Sequence, residues 1–376
     1  MNVRLAVLQD KEKWDAFIDR ENGSFFHYFD WKYIYNTRGQ QYIPLILENE
    51  SSEIIGILPI VIKWSNYYSN ITSLPEGASG GFVLKKDLNI SEKNKAIFLL
   101  LDYVNQNFSS DCSTFNLKEN LLVNNKNLFQ PTEILIKNGF KYIYNNNQLP
   151  CTYILELKQP FKNNIWNELW DHRLKNKIRK SEKMGVYVKE DKNLEFFNDF
   201  FNMFNSTNMR LGSPRVLKDE ILKRVTIFPH KTKLFVALLG EEPLSALLCY
   251  YQSSICYLSK LPSYEKAREY DANTLLAFEA IRDACEIGCR FCEFGVTDLP
   301  AQTRWKEQFK GIKIPLKRYE KRYSTIRYIF QSIPPIIKWV WTHKQYIWDN
   351  RRGFIRKVKM KVKRTLILLY HRYRHY

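Results

Sequence analysis

The 376-residue chain has few residues of the kinds that mark easily recognised sites. Its 14 glycines form no P-loop, no Rossmann dinucleotide motif and no nucleophile elbow. Its 6 histidines are scattered, which argues against a metal site. No apolar run reaches the eighteen or so residues of a membrane span, and the first residues do not resemble a signal peptide. We therefore expect a cytoplasmic protein without a bound metal.

Cysteine is also sparse, and the 7 cysteines are an odd number. Without an export signal this count indicates reduced thiols. Cys285, Cys289 and Cys292 have a C-x3-C-x2-C spacing, but they fall across a predicted helix end and an apolar strand, with no fourth ligand nearby. We expect buried free thiols there.

Acidic residues are the third scarcity: Lys and Arg exceed Asp and Glu by 19. Residues 325–376 contain thirteen Lys or Arg and one acidic residue, Asp349. Apolar positions in this tail repeat on one helical stripe, with basic residues around it, which predicts an amphipathic helix. Three interpretations remain open: the helix packs on the protein itself, docks reversibly on the anionic inner face of a membrane, or binds nucleic acid.

Hydrophobic patterning predicts the same order of elements twice. Residues 42–47 and 54–63 read as paired strands, followed by a loop rich in Gly and Ser, a helix capped by Ser91, and a strand at 114–117. Downstream, a three-strand meander, a polar loop, a helix ending at Gly288 and a short strand repeat this order; the segments are 234–239, 244–251, 254–261, 273–287 and 289–294. We expect a mixed α/β protein with domains at 1–149 and 150–324, followed by the tail.

A basic helix is predicted from 172 to about 184, where Gly185 turns the chain into a strand. Arg173, Lys177 and Lys180 would lie along one face of it. Such a face suits a pyrophosphate or a nucleic-acid backbone, because fixed cations bind phosphate well. An ordinary solvated helix face is the alternative.

Five segments together resemble the Fem family of acyltransferases. The basic helix is similar to the family's R-x-x-I-R-K-A-x-K-x-G-V, with Ser181 in place of the usual alanine. The others resemble the S-F-x-Q-x-x-x-W opening, the R-x-G-T-P segment, the helix ending in E-x-G before a strand ending in F-G, and F-K-x-x-F-G. The matching residues are 24–31, 172–188, 209–214, 272–295 and 303–311.

The resemblance implies two tandem GNAT-like domains with the acceptor in a cleft, largely against the first. It also implies that an amine attacks an activated ester or thioester carbonyl. The donor would be acyl-CoA or aminoacyl-tRNA, and the acceptor an amine-bearing cell-envelope precursor of peptidoglycan or polysaccharide, possibly lipid-linked. No heptad run predicts the helical arm of tRNA-dependent members, which mildly favours acyl-CoA.

The resemblance also assigns catalytic residues. Lys306 matches the family lysine that stabilises charge near the reacting carbonyl, and its aromatic neighbours would desolvate it; a surface lysine in a loop is the alternative. Lys310 precedes Gly311 where the family has one glycine after the aromatic residue. No general base is evident from the motifs; Glu293 and Asp298 lie near the end of the relevant strand and are the candidates, with structural carboxylates as the alternative.

Substrate binding is assigned to six residues, four of which have other possible roles. Arg210 would pair with a phosphate or carboxylate, or only with a neighbouring acid, and Tyr257 would face the cleft or lie in the core. The solvated face remains the alternative for the two basic-helix residues. The six are Trp31, Ser79, Arg173, Lys177, Arg210 and Tyr257.

Donor binding is assigned to Lys266, Arg268 and Asn273, because the helix N-terminus that follows this loop attracts anions. The loop 263–270 has no glycine, unlike a standard acetyl-CoA loop. The competing functional hypothesis is a non-catalytic protein of the same fold that binds nucleic acid or a membrane through its basic surfaces.

Overall fold

The structure is a computed structural model that describes residues 1–64, 69–119, 131–143, 150–212, 215–297 and 299–325. The predicted tail, apart from Thr325, and the candidate base Asp298 lie outside the described residues. No helix in the described part of the chain is long and apolar enough to cross a membrane.

The described residues form two sheets. The strands are β1 Asn2–Leu5, β2 Gln40–Glu48, β3 Ile54–Trp64, β4 Ser69–Thr72, β5 Val83–Leu84, β6 Thr114–Lys118, β7 Lys141–Tyr142, β8 Cys151–Glu156, β9 Val186–Glu190, β10 Thr232–Leu239, β11 Glu242–Gln252, β12 Ile255–Lys260, β13 Phe291–Glu293, β14 Ile312–Pro315 and β15 Arg318–Arg322. The first sheet has the order β1-β2-β3-β4-β6-β15-β7, with β5 on β3. The second has the order β14-β8-β13-β12-β11-β10-β9.

Helices cover parts of both sheets. They are α1 Lys11–Arg20, α2 Trp31–Thr37, α3 Ile90–Phe108, α4 Thr132–Lys137, α5 His172–Lys183, α6 Phe197–Arg210, α7 Lys218–Thr226, α8 Ala272–Glu286 and α9 Pro300–Glu307. A π-helical segment, Lys162–Leu169, precedes α5. This arrangement confirms the predicted mixed α/β fold.

The predicted duplication is visible in the topology. In the first half β2, β3 and β4 form a meander, α3 follows, and β6 returns parallel to β4. In the second half β10, β11 and β12 form the meander, α8 follows, and β13 returns parallel to β12. Each half therefore has one parallel strand pair joined through a helix.

One predicted helix cap was wrong. Helix α3 begins at Ile90, and Asn89 rather than Ser91 caps it. The Asn89 Oδ1 atom accepts a hydrogen bond from the Glu92 amide at 3.0 Å, and Glu92 Oε2 accepts one from the Asn89 amide at 2.8 Å. Asn89 and Glu92 form a reciprocal capping box, which places the cap two residues earlier.

The last described strand returns to the first half. Strand β15 pairs with β6 and β7, although the sequence analysis placed its residues in the second domain. Tyr319 on this strand is buried, and its hydroxyl contacts Glu119 and Thr132, each at 2.7 Å. The domain boundaries at 149/150 and 324/325 stay predictions. The first sheet includes β15, which lies after the 149/150 boundary in the chain.

The two halves share one hydrophobic core. Phe25, from the opening segment, stacks on Tyr250 of β11 with ring centroids 4.4 Å apart. Trp31 packs edge-on against the same tyrosine ring, at 5.8 Å, and Phe228 lies 5.9 Å from Trp31. Because these aromatic rings come from both halves, the halves form one packed body.

A buried ion network also crosses between the halves. Glu76, in the loop after β4, contacts Arg224 of α7 at 2.9 Å and Lys260 of β12 at 3.3 Å. Arg38 contacts both Glu76, at 2.7 Å, and Glu220, at 2.6 Å. Burial alone would raise the pKa of Glu76, but the surrounding cations hold it well below its usual value.

Candidate active site

The parallel pair β12/β13 positions the candidate site. The register pairs Ile255 with Phe291 and Tyr257 with Glu293, and the pairing ends there. Beyond Glu293 the chain follows β8 instead, where the Thr297 and Cys151 amides and carbonyls bond reciprocally at 2.8 and 3.0 Å. The end of β13 is thus the point at which the two parallel strands separate.

Lys306 lies at this point, on α9 and not in a loop. Only 7% of the residue is exposed. Its Nζ atom donates to the carbonyl oxygen of Gly295 at 2.8 Å and to that of Val296 at 3.2 Å. An ammonium held by backbone carbonyls in a water-poor setting keeps a fixed position and acts strongly on nearby charge.

Glu293 lies beside Lys306. The carboxylate is 4% exposed and accepts a hydrogen bond from the Thr152 hydroxyl, which also donates to the Gly295 carbonyl at 3.0 Å. Burial raises the pKa of Glu293, although the Thr152 hydroxyl and the Lys306 charge oppose the effect. A carboxylate with a raised pKa next to a fixed cation is suited to accept a proton.

The segment after Lys306 is built around aromatic contacts. The Trp305 and Phe309 rings are 5.2 Å apart, and Trp305 Nε1 donates to Thr274 Oγ1 on α8 at 3.4 Å. Lys310, where the Fem pattern has glycine, takes a left-handed φ of 62°. Its Nζ lies 3.1 Å from Asp171. The departure from the pattern is therefore accommodated by a strained lysine with an ion-pair partner.

Two residues assigned to substrate binding are core residues in this structure. Trp31 is fully buried and its Nε1 donates to the Phe25 carbonyl at 2.9 Å. Tyr257 is 2% exposed, and its hydroxyl donates to Gln252 Oε1 at 3.3 Å while accepting from the Phe25 amide at 3.4 Å. Neither ring has a surface for a ligand, because both pack where the halves meet. The core alternative for Tyr257 is the one observed.

Ser79 and Arg210 belong to parts of the fold other than β13 and α9. Ser79 is 4% exposed and lies in the loop after β4. Arg210 is the exposed last residue of α6. Their assignment to substrate binding stays a prediction.

The basic helix α5 forms as expected. Asp171 caps it by accepting from the Leu174 amide at 3.0 Å, and Gly185 follows it with a φ of 85°. Arg173 is exposed, while Lys177 Nζ donates to Gln308 Oε1 at 3.0 Å, just after α9. Of the two, the structure brings Lys177 close to the segment that carries Lys306.

The three donor-binding candidates lie together before and within the first turn of α8. Lys266 pairs with Glu242, Arg268 is exposed, and Asn273 Nδ2 donates to Ser263 Oγ at 3.4 Å. Asn273 Oδ1 is buried without a hydrogen-bond partner in the described structure. Asp271 precedes the helix in a left-handed conformation. The helix end therefore offers amides and Arg268 to an anion, and opposes it with the Asp271 carboxylate.

Sequence reasoning missed Thr152 and Gln252. Thr152 holds Glu293, and Gln252 links Tyr257 to the first half by donating to the Gly23 carbonyl at 2.9 Å. Thr152 is a single polar residue among apolar ones on β8, which was the available signal, whereas Gln252 ends β11 next to Ser253 and Ser254 and does not stand out. The cysteines behave as predicted: Cys285, Cys289 and Cys292 are buried free thiols.

Comparison with known proteins identifies one domain in the second half of the chain. Residues 171–307, which run from Asp171 to the end of α9, match the family described as an acetyltransferase (GNAT) domain. A search of curated proteins gave no match. This match supports the acyltransferase class that the sequence predicted, for the part of the chain from Asp171 to Glu307.

Solved structures confirm the Fem-like tandem fold. FemX is similar over 89% of this chain and 100% of its own, with a TM-score of 0.67 and 15% identity. A tandem GNAT protein from the clavulanic acid biosynthesis pathway covers 86% of this chain and 99% of its own, with a TM-score of 0.54 and 8% identity. The C-terminal domain of a putative lysylphosphatidylglycerol synthetase from Agrobacterium fabrum covers 84% and 92%, with a TM-score of 0.53 and 9% identity.

Proposed function

We propose that this protein transfers an acyl or aminoacyl group from an activated ester or thioester to an amine of a cell-envelope precursor. The observation that carries the proposal is the buried pair of Lys306 and Glu293 at the end of β13, inside the matched acetyltransferase domain. The likeness to FemX and to a lysylphosphatidylglycerol synthetase domain supports an envelope acceptor.

The chemistry assigns one role to each side chain. The acceptor amine attacks the donor carbonyl, and a carbon–nitrogen bond forms as the carbon–oxygen or carbon–sulfur bond to the carrier breaks. Glu293 takes the proton that the amine loses. The charge of Lys306 stabilises the oxyanion that develops on the carbonyl oxygen. The departing alkoxide or thiolate takes up this proton from Glu293 and leaves as alcohol or thiol, which returns Glu293 to its carboxylate form.

The donor is bound through the segment that contains Lys266, Arg268 and Asn273. An acyl-CoA would place its pyrophosphate at the α8 N-terminus. An aminoacyl-tRNA would instead place its sugar–phosphate backbone along the basic face of α5, with Arg173 and Lys177. With either donor, the reacting carbonyl would lie at the end of β13. One experiment can therefore compare the two donors.

Donor binding tests the proposal directly. Purified protein is titrated with acetyl-CoA and longer acyl-CoAs, and its thermal stability is measured. It is also titrated with charged or uncharged tRNA, and retention of the tRNA on a filter is measured. Stabilisation by one CoA ester, lost in Arg268→Ala and kept in the control Lys158→Ala, identifies a CoA donor. Preferential retention of charged tRNA, weakened in Lys177→Ala, identifies an aminoacyl donor. Equal retention of any nucleic acid, with a steep salt dependence and no acyl transfer, would overturn the proposal in favour of a binding protein.

A further inference from the structure

A cavity of about 240 Å³ lies between the two halves, next to the reaction centre proposed above. Asp19 lines it from the first half. Gln252, Arg290, Phe291 and Glu293 line it from the second. This space is well above what a single water molecule needs, and it suits a small ligand.

Two carboxylates line this cavity from opposite halves. Glu293 is the buried one, beside Lys306. Asp19 is 40% exposed at its side chain and accepts from Gln252 Nε2 at 3.2 Å and from the Tyr28 hydroxyl. The Lys231 ammonium is 3.8 Å from Asp19. A ligand with a positively charged amine would find acceptors on both sides of the cavity.

Arg290 brings the opposite charge to the same cavity. It is exposed, and its guanidinium lies over the Phe291 ring at 5.7 Å from the centroid. Among the carboxylates that the structure describes, none forms an ion pair with Arg290. A guanidinium oriented by an aromatic ring, with its donors open to a ligand, is suited to a carboxylate.

We infer that this cavity is the acceptor subsite and that the acceptor group is a short ω-amino carboxylate, whose amine lies between Asp19 and Glu293 and whose carboxylate pairs with Arg290. The inference rests on the proposed transfer to an amine, and it adds the class of acceptor. Glu293 lines the cavity and is buried, and it is the residue proposed to take the proton. An amine bound there is next to Lys306, where the donor carbonyl is expected.

Calorimetric titration with small probes tests the inference without any donor. The probes are 6-aminohexanoate, hexylamine and hexanoate, each up to about 20 mM, a range that detects millimolar dissociation constants. We expect saturable binding of 6-aminohexanoate, at least about tenfold tighter than that of either single-charge probe. Arg290→Gln should abolish the preference for 6-aminohexanoate over hexylamine, and Asp19→Asn should weaken both amines.

Matched controls separate binding from folding. Arg282→Gln and Asp219→Asn alter exposed ion pairs outside the cavity and should leave 6-aminohexanoate binding unchanged. All variants are compared by thermal unfolding, and Arg290→Lys should keep part of the preference if charge is what matters. Equal binding of hexylamine and 6-aminohexanoate, or no saturable binding, would overturn the inference. Binding without transfer from any donor would overturn only the proposed function.

Discussion

His27 illustrates how one residue fixes the opening segment. It stands where the Fem pattern has glutamine, is fully buried, and contacts the Ser24 hydroxyl at 2.8 Å and the Gly81 carbonyl at 3.3 Å. Burial lowers the pKa of His27 to about 4. The imidazole is therefore neutral in the folded protein at pH 7, and it joins the short 3₁₀ helix Phe25–His27 to the loop after β4.

This burial predicts an acid-sensitive stability. Between pH 6.5 and about 4 the unfolded chain binds a proton on His27 that the folded protein does not, so stability falls as pH falls. The full effect is about 3 kcal/mol. His27→Gln should flatten the fall in urea-unfolding free energy across this window. An unchanged slope in the variant would show that other groups cause it.

Glu293 predicts the pH dependence of transfer. Because its pKa is raised, the carboxylate loses its proton at a higher pH than an ordinary glutamate does. Transfer should therefore fall as the pH drops through that raised pKa, since a protonated Glu293 cannot accept the proton of the amine. Glu293→Gln should remove this acidic limb and lower the rate by about 10² or more. An acidic limb that persists in Glu293→Gln would assign the base to another group. Glu279, another glutamate with a raised pKa, supplies the control variant Glu279→Gln, which should keep the limb.

At the scale of elements, the loop after β4, α7 and the end of β12 meet at Glu76. The charges are buried and belong to both halves. Such a network fixes the relative position of its elements, because breaking it leaves an uncompensated buried charge.

The network gives a stability prediction. Glu76→Gln leaves Arg224 without its full charge partners and should lower the free energy of unfolding by about 3–5 kcal/mol. Replacing Arg224 by Met as well should recover part of the loss, because the unpaired buried charge is then gone. The exposed pair of Glu133 and Lys137 supplies the control: Glu133→Gln should have no measurable effect. A Glu76→Gln protein as stable as wild type would show that the network is not structural.

Much of this element plan could be predicted from the sequence. The meanders, the helices and the parallel strands follow from local periodicity. Gly185 and Gly288 come directly after helices and have positive φ angles, as expected. The contacts between segments that are distant in the chain could not be predicted from local periodicity. Trp31 looks like a site residue because it belongs to a linear motif, and Tyr257 because it lies on a predicted strand that would face the cleft. Both are core residues instead, because the two halves share a core. Thr152, which holds Glu293, is far away in the chain and belongs to no motif.

At the scale of the whole molecule, the last described strand of the chain belongs to the same sheet as the first strand. Strand β15 follows the second half in the chain and completes the first sheet, so the first half depends on a segment beyond the second. The shared aromatic core also links the two halves. We expect one cooperative unfolding transition rather than two.

Two truncations test this closure. A chain that ends at Thr325 keeps β15 and should unfold at nearly the same urea concentration as the full chain. A chain that ends at Leu316 lacks β15 and the buried Tyr319, and should be destabilised by several kcal/mol. Equal stability of both would contradict the role of β15.

The chain that ends at Thr325 also tests the tail. Loss of its binding to anionic vesicles would support membrane docking by residues 326–376, and retained binding would exclude such docking.

Acyl transfer by variants of Lys306 is the most direct test of the account. A radiolabelled donor identified by the binding titration is mixed with excess protein and an amine acceptor, and the single-turnover rate of amide formation is followed. Lys306→Met should lower this rate by about 10²–10³, the usual loss when one oxyanion-stabilising group is removed. The exposed Lys313→Met should transfer at the wild-type rate. A Lys306→Met protein that transfers as fast as wild type would contradict the assignment of the reaction to the end of β13.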